Sequence, residues 1–290
     1  MSSRLSEARV AVVGAGPAGI ACAVQLVRAG IPVDLYDPAP PGGTLREAWR
    51  VENYPGFPEG ISGQELADRI GRALTPWNIL PVPEQVEGLR RTKDGVCLEA
   101  GGRSLDYPAA VVATGSRPRR LEGIATEAGS EEKIFTSFRT IRSRGFRRIA
   151  IYGAGDVGLD WAEGLSAQAE VHVLFRGSHP RGLDLLVDRA RQRGVTFRPC
   201  FQLEAIQRHD QGIRLTGSEG NLHADALLLA LGRVPRLDFL DSGIEIPNRG
   251  GTIDGRIYFA GDAVNGYRRQ TAIAAGDGLH VAMEVKSQWK

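Results

Sequence analysis

Two copies of one short glycine pattern constrain the fold of this chain more than any other feature. VGAGPAG occupies residues 13–19 and YGAGDVG occupies residues 152–158. Each copy follows a short apolar run and precedes a stretch with helical apolar spacing, which predicts a strand, a tight loop and a helix. The duplication therefore predicts two nucleotide-binding units within the 290 residues, a length that can supply two hydrophobic cores.

The first copy has the features expected of a dinucleotide-binding unit. Gly14 would allow the tight turn, Gly16 would let the backbone approach a pyrophosphate, and Gly19 would let the helix pack closely on the sheet. The N-terminus of that helix would then face the phosphates. A second strand, IPVDLYD, ends at Asp37, at the spacing where an acid would bond ribose hydroxyls.

The second copy has the same order of strand, glycine loop, helix and strand, but a basic residue follows its second strand instead of an acidic one. FRRIAIYG is the expected strand before the glycines, and EVHVLFRG is the strand after the helix. This unit ends in Arg176, followed by Arg181, and a guanidinium suits a 2′-phosphate where an acid favours a free 2′-hydroxyl. We expect NADPH here, with NADH also possible; the alternative for Arg176 is an ordinary solvated charge. The predicted contacts are Gly153, Gly155, Asp156, Val157, Gly158, Arg176 and Arg181.

Three further apolar segments predict how the halves are connected. AAVVATGSRPR (109–119), ADALLLALGRVPR (224–236) and GRIYFAGDAVN (255–265) each read as a buried strand followed by a turn. Asp262 precedes a helix of small residues, where it could bond a ribityl hydroxyl while the helix N-terminus meets a flavin. We therefore predict an α/β protein with two Rossmann-like, three-layer ββα domains. The first is discontinuous, 1–118 and 244–290, and the second, 119–243, is inserted in it.

The chain resembles the low-molecular-weight thioredoxin reductase-like flavoproteins over essentially its whole length. The resemblance rests on GAGPAG, on VENYPGFPEGISG within 42–66, on ATG at 113–115, on the second glycine loop, and on GDA and RQ at 261–263 and 269–270. It implies FAD in the first domain, NADPH in the inserted domain, a homodimer, and two domains that swivel. By position it implies FAD contacts from Gly14, Gly16, Pro17, Gly19, Asp37, Gly43, Leu45, Asn53, Thr114, Gly115, Asp262, Arg269, Gln270 and Thr271.

Departures from the family pattern bear on function. Family reductases carry a CxxC before the second glycine strand, and the matching stretch here is TSFR, residues 136–139. Thiol–disulfide exchange needs a thiolate, so that route is absent. Cys22, Cys97 and Cys200 are far apart and are expected to be small core residues. The family's HRRxxxR run is replaced by FRGSHPR, which keeps only Arg176 and Arg181.

These features predict an FAD-dependent oxidoreductase that passes electrons from NADPH, or NADH, through the flavin directly to an external acceptor. Candidate acceptors are a ferredoxin, a flavodoxin, a quinone, a low-molecular-weight disulfide or oxygen. No residue is assigned as a general acid or base, because the cofactor carries the chemistry. Two alternatives stay open: a ferredoxin-linked flavoenzyme that does not use a pyridine nucleotide, and a non-catalytic flavin-binding sensor or interaction protein.

Other classes of function are not favoured. A net charge of +2 gives no electrostatic footprint for nucleic acid, and no apolar run approaches a membrane span. The five histidines do not cluster with acids at the spacing of metal ligands, so no metal site is expected. Three separated cysteines and the lack of a signal-peptide core favour a cytoplasmic location. Trp49 and Trp289 are candidates for packing or for contact with the flavin, and the sequence does not choose between these roles.

Overall fold

The computed structural model describes residues 8–289. Its helices are α1 Pro17–Arg28, α2 Gly63–Arg72, α3 Phe138–Ser143, α4 Asp156–Ser166, α5 Asp184–Gln192 and α6 Thr271–Gln288. Its strands are β1 Val10–Val13, β2 Val33–Tyr36, β3 Val86–Arg91, β4 Val96–Ala100, β5 Arg103–Tyr107, β6 Ala109–Val112, β7 Ser116–Pro118, β8 Ala125–Thr126, β9 Ile134–Phe135, β10 Arg148–Tyr152, β11 Glu170–Leu174, β12 Thr196–Arg198, β13 Leu203–His209, β14 Gly212–Gly217, β15 Gly220–Ala224, β16 Ala226–Leu229, β17 Arg233–Pro235, β18 Gly251–Thr252 and β19 Ile257–Phe259.

The chain forms two compact units. The first unit comprises Met1–Arg46, Glu52–Arg117 and Val234–Lys290, and the second comprises Glu47–Val51 and Pro118–Arg233. The short segment Glu47–Val51 therefore packs with the second unit, although the residues on either side of it belong to the first. That each unit holds one cofactor stays a prediction.

The first unit is built on a sheet with the order β18-β19-β6-β1-β2, in which β19, β6, β1 and β2 are parallel. Val10 and Val12 of β1 belong to a core shared with α1 and α6, whereas Ala11 and Val13 belong to a core shared with the antiparallel sheet β3-β4-β5. Both faces of β1 are thus buried. This explains why its sequence is an unbroken apolar run rather than an alternating one.

The second unit repeats this arrangement. Its parallel sheet has the order β12-β11-β10-β16-β9, and a second sheet, β15-β14-β13-β8, contains the antiparallel strands β13, β14 and β15. Ile149 and Ile151 of β10 pack in a core with α3 and α4, while Ala150 and Tyr152 pack in a core with β13 and β14. The predicted fold class is confirmed, because each unit stacks helices, a parallel sheet and an antiparallel sheet in three layers.

Local sequence explains where the helices begin. Helix α1 starts at Pro17, whose fixed φ suits the first helical position, and Gly30 just beyond its end has a φ of 81°. Helix α2 starts after Ser62, whose hydroxyl accepts a hydrogen bond from the Glu65 amide at 3.2 Å. Within residues 8–289, no helix combines the length and the apolar character needed to cross a bilayer.

Candidate functional site

The first glycine loop connects β1 to α1 at the carboxyl edge of the parallel sheet. Gly14 has a φ of 105°, and a Cβ there would lie 2.4 Å from the carbonyl oxygen of Ala113. A Cβ on Gly19 would lie 1.8 Å from the carbonyl oxygen of Gly14. At Gly16, by contrast, a Cβ would meet no atom within 4 Å. Two glycines are therefore required by the packing of the loop, whereas the third leaves open space beside the backbone.

That open space lies at the N-terminus of α1. Gly16 is the N-cap residue and supplies no side-chain cap, and no acidic residue lies in the first turn. The first amide groups of a helix lack intrahelical acceptors and carry the positive end of the helix dipole. Pro17 removes one of these donors, and the remaining ones are available to an anion such as a pyrophosphate.

Asp37 is held beside this loop. Its Oδ2 accepts a hydrogen bond from the amide of Ala15 at 2.7 Å, and its Oδ1 accepts one from the amide of Ala39 at 2.9 Å. The side chain is fixed at the end of β2, at the carboxyl edge of the sheet. Each carboxylate oxygen has a second lone pair, so the group can still accept hydrogen bonds from ribose hydroxyls.

The segment containing Gly43 and Leu45 lies against the same loop. The amide of Gly42 donates to the carbonyl of Ala15 at 2.7 Å, and a Cβ on Gly43 would lie 3.2 Å from the Cα of Gly16. Leu45 is buried. Sequence reasoning missed Gly42 as the residue that ties this segment to the glycine loop.

Two further predicted residues follow β6. Thr114 donates its hydroxyl to the carbonyl of Arg236 at 2.6 Å, and the amide of Arg236 donates to the carbonyl of Gly115 at 3.1 Å. Gly115 has a φ of 64°, which favours glycine, and a Cβ there would meet nothing within 4 Å. This turn is joined to the glycine loop by Ala113, whose amide donates to the carbonyl of Val13 at 2.8 Å.

The remaining predicted residues of the first unit lie around the start of α6. Asp262 lies in a short 3-10 turn directly after β19, and Thr271 is the first residue of α6. Gln270 accepts a hydrogen bond from the side chain of Asn53 at 2.8 Å. The fold therefore brings together two predicted residues that are 217 positions apart. Arg269 directly precedes Gln270 in the sequence.

The second glycine loop has the same construction as the first. Gly153 has a φ of 123°, and its Cβ would lie 2.3 Å from the carbonyl oxygen of Ala230. A Cβ on Gly158 would lie 2.1 Å from the carbonyl oxygen of Gly153, whereas one on Gly155 would meet nothing within 4 Å. The sequence repeat is thus a repeat of three-dimensional structure, with the same two crowded glycines and the same open one.

The start of α4 is tied to the loop that carries Arg181. Oδ1 of Asp156 accepts a hydrogen bond from the amide of Leu183 at 2.9 Å. The amide of Arg181 donates to the carbonyl of Ala154 at 2.9 Å. This bond is the counterpart of the one between Gly42 and Ala15 in the first unit. The sequence predicted neither bond. Val157 is half exposed at the start of α4.

Arg176 and Arg181 are both exposed on the loop that follows β11. Neither guanidinium forms a hydrogen bond or an ion pair with any residue between positions 8 and 289. Two unpaired guanidinium groups on one short loop at the carboxyl edge of the sheet are suited to bind a phosphate monoester.

The stretch TSFR forms the N-terminus of α3. Ser137 is its N-cap and accepts a hydrogen bond from the amide of Thr140 at 3.2 Å. Its hydroxyl lies 3.1 and 3.0 Å from the two carboxylate oxygens of Glu47, and the amide of Arg139 donates to the same carboxylate at 3.2 Å. The Glu47 carboxylate therefore contacts Ser137 and Arg139, and Arg139 is one of the two positions, 136 and 139, where the family resemblance implies thiols. Sequence reasoning did not identify Glu47.

The three cysteines lie in unrelated environments. Cys22 on α1 is completely buried, and burial raises the pKa of its thiol to about 12. Cys97 on β4 is also buried, as predicted, but Cys200 is exposed. The expectation that Cys200 is a core residue is wrong, because it lies in the turn after β12 with a φ of 57°. Among residues 8–289, no cluster of three or more potential ligands could hold a metal ion.

The two candidate tryptophans pack against protein. The ring of Trp49 lies 6.1 Å from that of Phe138, and the guanidinium of Arg142 lies 4.7 Å from its centroid. The backbone amide of Trp49 donates to Asp160 at 2.7 Å. Trp289 is half-buried against the core shared by β1, α1 and α6.

Comparisons with known proteins agree over nearly the whole chain. The family model described as pyridine nucleotide-disulphide oxidoreductase matches residues 8–278. The thioredoxin reductase of Mycolicibacterium smegmatis is 27% identical over 306 aligned positions, which cover 99% of this chain and 98% of the relative. The thioredoxin reductase of Streptomyces clavuligerus is 28% identical, over 97% of this chain and 94% of its own length. The crystal structure of T. acidophilum thioredoxin reductase matches with a TM-score of 0.84 at 26% identity, covering 96% of this chain and 97% of that one.

Proposed function

Because the chain belongs to the pyridine nucleotide-disulphide oxidoreductase family, we propose that it transfers electrons from NADPH through FAD to an external acceptor without a protein disulfide. It is an oxidoreductase and a flavoprotein of the thioredoxin reductase-like type, and its cofactors are FAD and NADPH. Bound FAD would supply the hydride- and electron-transfer chemistry that connects the nicotinamide to the acceptor. The residues of the chain bind and orient the two cofactors.

FAD is assigned to the first unit. The space beside Gly16 and the uncapped start of α1 support a pyrophosphate there. A Cβ at Gly16 would meet no protein atom within 4 Å, whereas one at Gly14 or Gly19 would clash with the backbone. Asp37 would accept hydrogen bonds from the adenosine ribose, and Asp262 would accept one from the ribityl chain. The pair formed by Asn53 and Gln270 would contribute polar groups near the start of α6. The other proposed contacts are Pro17, Gly43, Leu45, Thr114, Gly115, Arg269 and Thr271.

NADPH is assigned to the second unit. Gly155 offers the same open space at the start of α4 that Gly16 offers at α1. Gly153 and Gly158 would keep this loop compact, and Asp156 and Val157 would lie beside the nucleotide. The exposed and unpaired guanidinium groups of Arg176 and Arg181 would bind the 2′-phosphate, which favours NADPH over NADH.

The observation that carries the proposal is the arrangement of cysteines and of the TSFR stretch. A disulfide reductase needs two thiols that can approach one another. Here Cys22 is buried in α1 and Cys97 in β4, while Ser137 and Arg139 bind a carboxylate at the start of α3. We therefore infer that the chain is not itself a direct thioredoxin reductase, although its relatives carry that name.

The proposed acceptor is a small redox protein such as a ferredoxin or flavodoxin, a quinone, a low-molecular-weight disulfide or oxygen. We also propose that the chain acts as a homodimer. The two alternatives, a pyridine-independent flavoenzyme and a non-catalytic flavin-binding protein, differ from this function in how the bound flavin responds to a pyridine nucleotide and to an acceptor.

The test is an anaerobic titration of the purified flavoprotein with NADPH and then with NADH, followed by the flavin absorbance. We expect rapid bleaching by NADPH. A bound flavin that responds to dithionite but to neither nucleotide would overturn the proposed electron donor and favour a pyridine-independent enzyme. Reduction by NADPH without reoxidation by any acceptor, together with a redox-dependent change in partner affinity, would favour the non-catalytic alternative.

A further inference from the structure

Arg198 ends β12, the outer strand of the parallel sheet in the second unit. It pairs in register with Leu174, the last residue of β11. Its neighbour Phe197 packs against Phe175 on the helical side of the sheet, with ring centroids 6.4 Å apart. Because successive side chains of a strand point to opposite faces, Arg198 lies on the other face, at the carboxyl edge.

The guanidinium of Arg198 has no hydrogen-bond or ion-pair partner among residues 8–289. The side chain is half-buried, and its Nε is buried without a hydrogen-bond acceptor. No carboxylate between positions 8 and 289 forms an ion pair with it. Burying a cationic donor without an acceptor is unfavourable, so this arrangement points to an anionic ligand that the protein itself does not supply.

The backbone places Arg198 beside the loop that carries Arg176. The amide of Phe175 donates to the carbonyl of Arg198 at 3.2 Å. The amide of Cys200 donates to the carbonyl of Gly177 at 2.9 Å, so the chain after β12 continues alongside the loop after β11. In a sheet of this order, the nucleotide lies outside the carboxyl ends of the strands, and β10, β11 and β12 form one nucleotide-binding half.

We propose that Arg198 is a third determinant of cofactor specificity, a guanidinium that binds the 2′-phosphate of NADPH together with Arg176 and Arg181. This inference rests on the assignment of NADPH to the second unit and deepens it. Arg198 lies 22 positions after Arg176 in the sequence and outside the FRGSHPR run. It compensates for the guanidinium that the family pattern would place at Gly177.

The test uses 2′,5′-ADP and 5′-ADP as probes, with binding to the FAD-loaded full chain measured by titration calorimetry. These probes differ in the 2′-phosphate. The variant is Arg198→Met, which keeps most of the aliphatic stem and removes the charge. The control is Arg193→Met. Arg193 is exposed at the end of α5, before the opposite end of β12, and its side chain forms no hydrogen bond or ion pair with residues 8–289.

We expect Arg198→Met to lower the affinity for 2′,5′-ADP by about 10- to 100-fold, which is the range for loss of a charge-assisted hydrogen bond. The affinity for 5′-ADP should fall by less than about 2-fold. Arg193→Met should change neither affinity by more than about 2-fold. Equal weakening of both probes by Arg198→Met, or no weakening of either, would overturn the inference.

A measurement on the unsubstituted chain keeps the inference testable if Arg198→Met fails to fold. Phenylglyoxal modifies accessible guanidinium groups, and peptide mass spectrometry identifies the modified residue. We expect 2′,5′-ADP to protect Arg198 and 5′-ADP to leave it reactive; identical modification with both probes would overturn the inference. If NADPH bleaches the flavin of Arg198→Met with unchanged affinity, the proposed role of Arg198 is refuted and the proposed function stands. If NADPH fails to bleach the flavin of the unsubstituted protein, the proposed function itself is refuted.

Discussion

The hydroxyl of Ser137 lies 3.0 and 3.1 Å from the two carboxylate oxygens of Glu47, although 90 positions separate the residues in sequence. Glu47 also accepts a hydrogen bond from the amide of Arg139, and its own carbonyl accepts one from the indole Nε1 of Trp161 at 2.7 Å. The segment Glu47–Val51 is thereby fixed to α3 and α4. These contacts define the start of α3 as a structural helix cap.

Replacing Ser137 tests the contribution of this cap to stability. Ser137→Ala removes the acceptor for the Thr140 amide and the hydroxyl that donates to Glu47. We expect the free energy of unfolding to fall by about 1–2 kcal/mol in urea denaturation. Ser143→Ala is the matched control, because Ser143 is exposed and its hydroxyl donates to the Thr140 carbonyl within the same helix. Its effect on the free energy of unfolding should stay within about 0.5 kcal/mol. Equal effects of the two substitutions would show that the cap contributes nothing specific.

Replacing Gly16 tests whether the open space beside the first loop is used by a cofactor. Gly16 has a φ of −77°, and a Cβ there meets no protein atom within 4 Å, so Gly16→Ala should leave the stability of the apoprotein within about 0.5 kcal/mol. A methyl group at this position would obstruct the approach of a pyrophosphate. We therefore expect the variant to purify with much less FAD.

The control for this prediction is Gly276→Ala. Gly276 is exposed within α6, and a Cβ there also meets no atom within 4 Å. Its replacement should stabilise the helix by about 0.5–1 kcal/mol and leave the FAD content unchanged. The quantities to compare are the flavin-to-protein absorbance ratio and the melting temperature. Full retention of FAD by Gly16→Ala would contradict the assignment of the pyrophosphate to this loop.

The sequence predicted the fold class and the local geometry of the two glycine loops. Strand, glycine loop and helix are contiguous, so their spacing alone predicts the turn at Gly14 and the packing of Gly19. The contacts that were missed join distant segments: Gly42 to Ala15, and Arg181 to Ala154. Such contacts depend on how loops fold back over the sheet edge, and side-chain periodicity carries no signal for that.

Arg198 and Cys200 are single residues whose surroundings the sequence pattern did not predict. In an arginine-rich chain, one more arginine at the end of a short strand gives no indication that its Nε is buried and unpaired. Cys200 was expected in a core, but the strand ends at Arg198 and the chain turns outward. Cys22 was assigned correctly, because it lies on the apolar face of an amphipathic helix whose limits the sequence does predict.

Replacing Arg176 and Arg181 together tests whether their guanidinium groups bind the 2′-phosphate of NADPH. Since neither guanidinium is used within the described part of the chain, removing both should not affect folding. We expect the double variant Arg176→Ala/Arg181→Ala to bind NADPH about 100-fold or more weakly, because each charge-assisted contact contributes about 1.5–3 kcal/mol. The affinity for NADH should fall by less than about 3-fold. The measurement is the nucleotide dependence of flavin bleaching under anaerobic conditions, and equal losses for the two nucleotides would contradict phosphate recognition.

Counting thiols tests whether electrons pass through a protein disulfide. The raised pKa of Cys22, about 12, means that its thiol stays protonated and unreactive from pH 7 to 9, and Cys97 is buried in β4. We expect one thiol per chain, that of Cys200, to react with a chromogenic disulfide in the native protein, and three after denaturation. Cys200→Ser should abolish the native reaction and keep two thiols after denaturation.

The decisive comparison is the thiol count before and after anaerobic reduction with NADPH. A reductase that carries electrons through a cysteine pair gains two reactive thiols when it is reduced, because the disulfide opens. Here the three sulfur atoms lie on α1, on β4 and in the turn after β12, so the count should stay at one while the flavin bleaches. A gain of two thiols would require rearrangement of the buried cysteines and would refute direct transfer from the flavin to the acceptor.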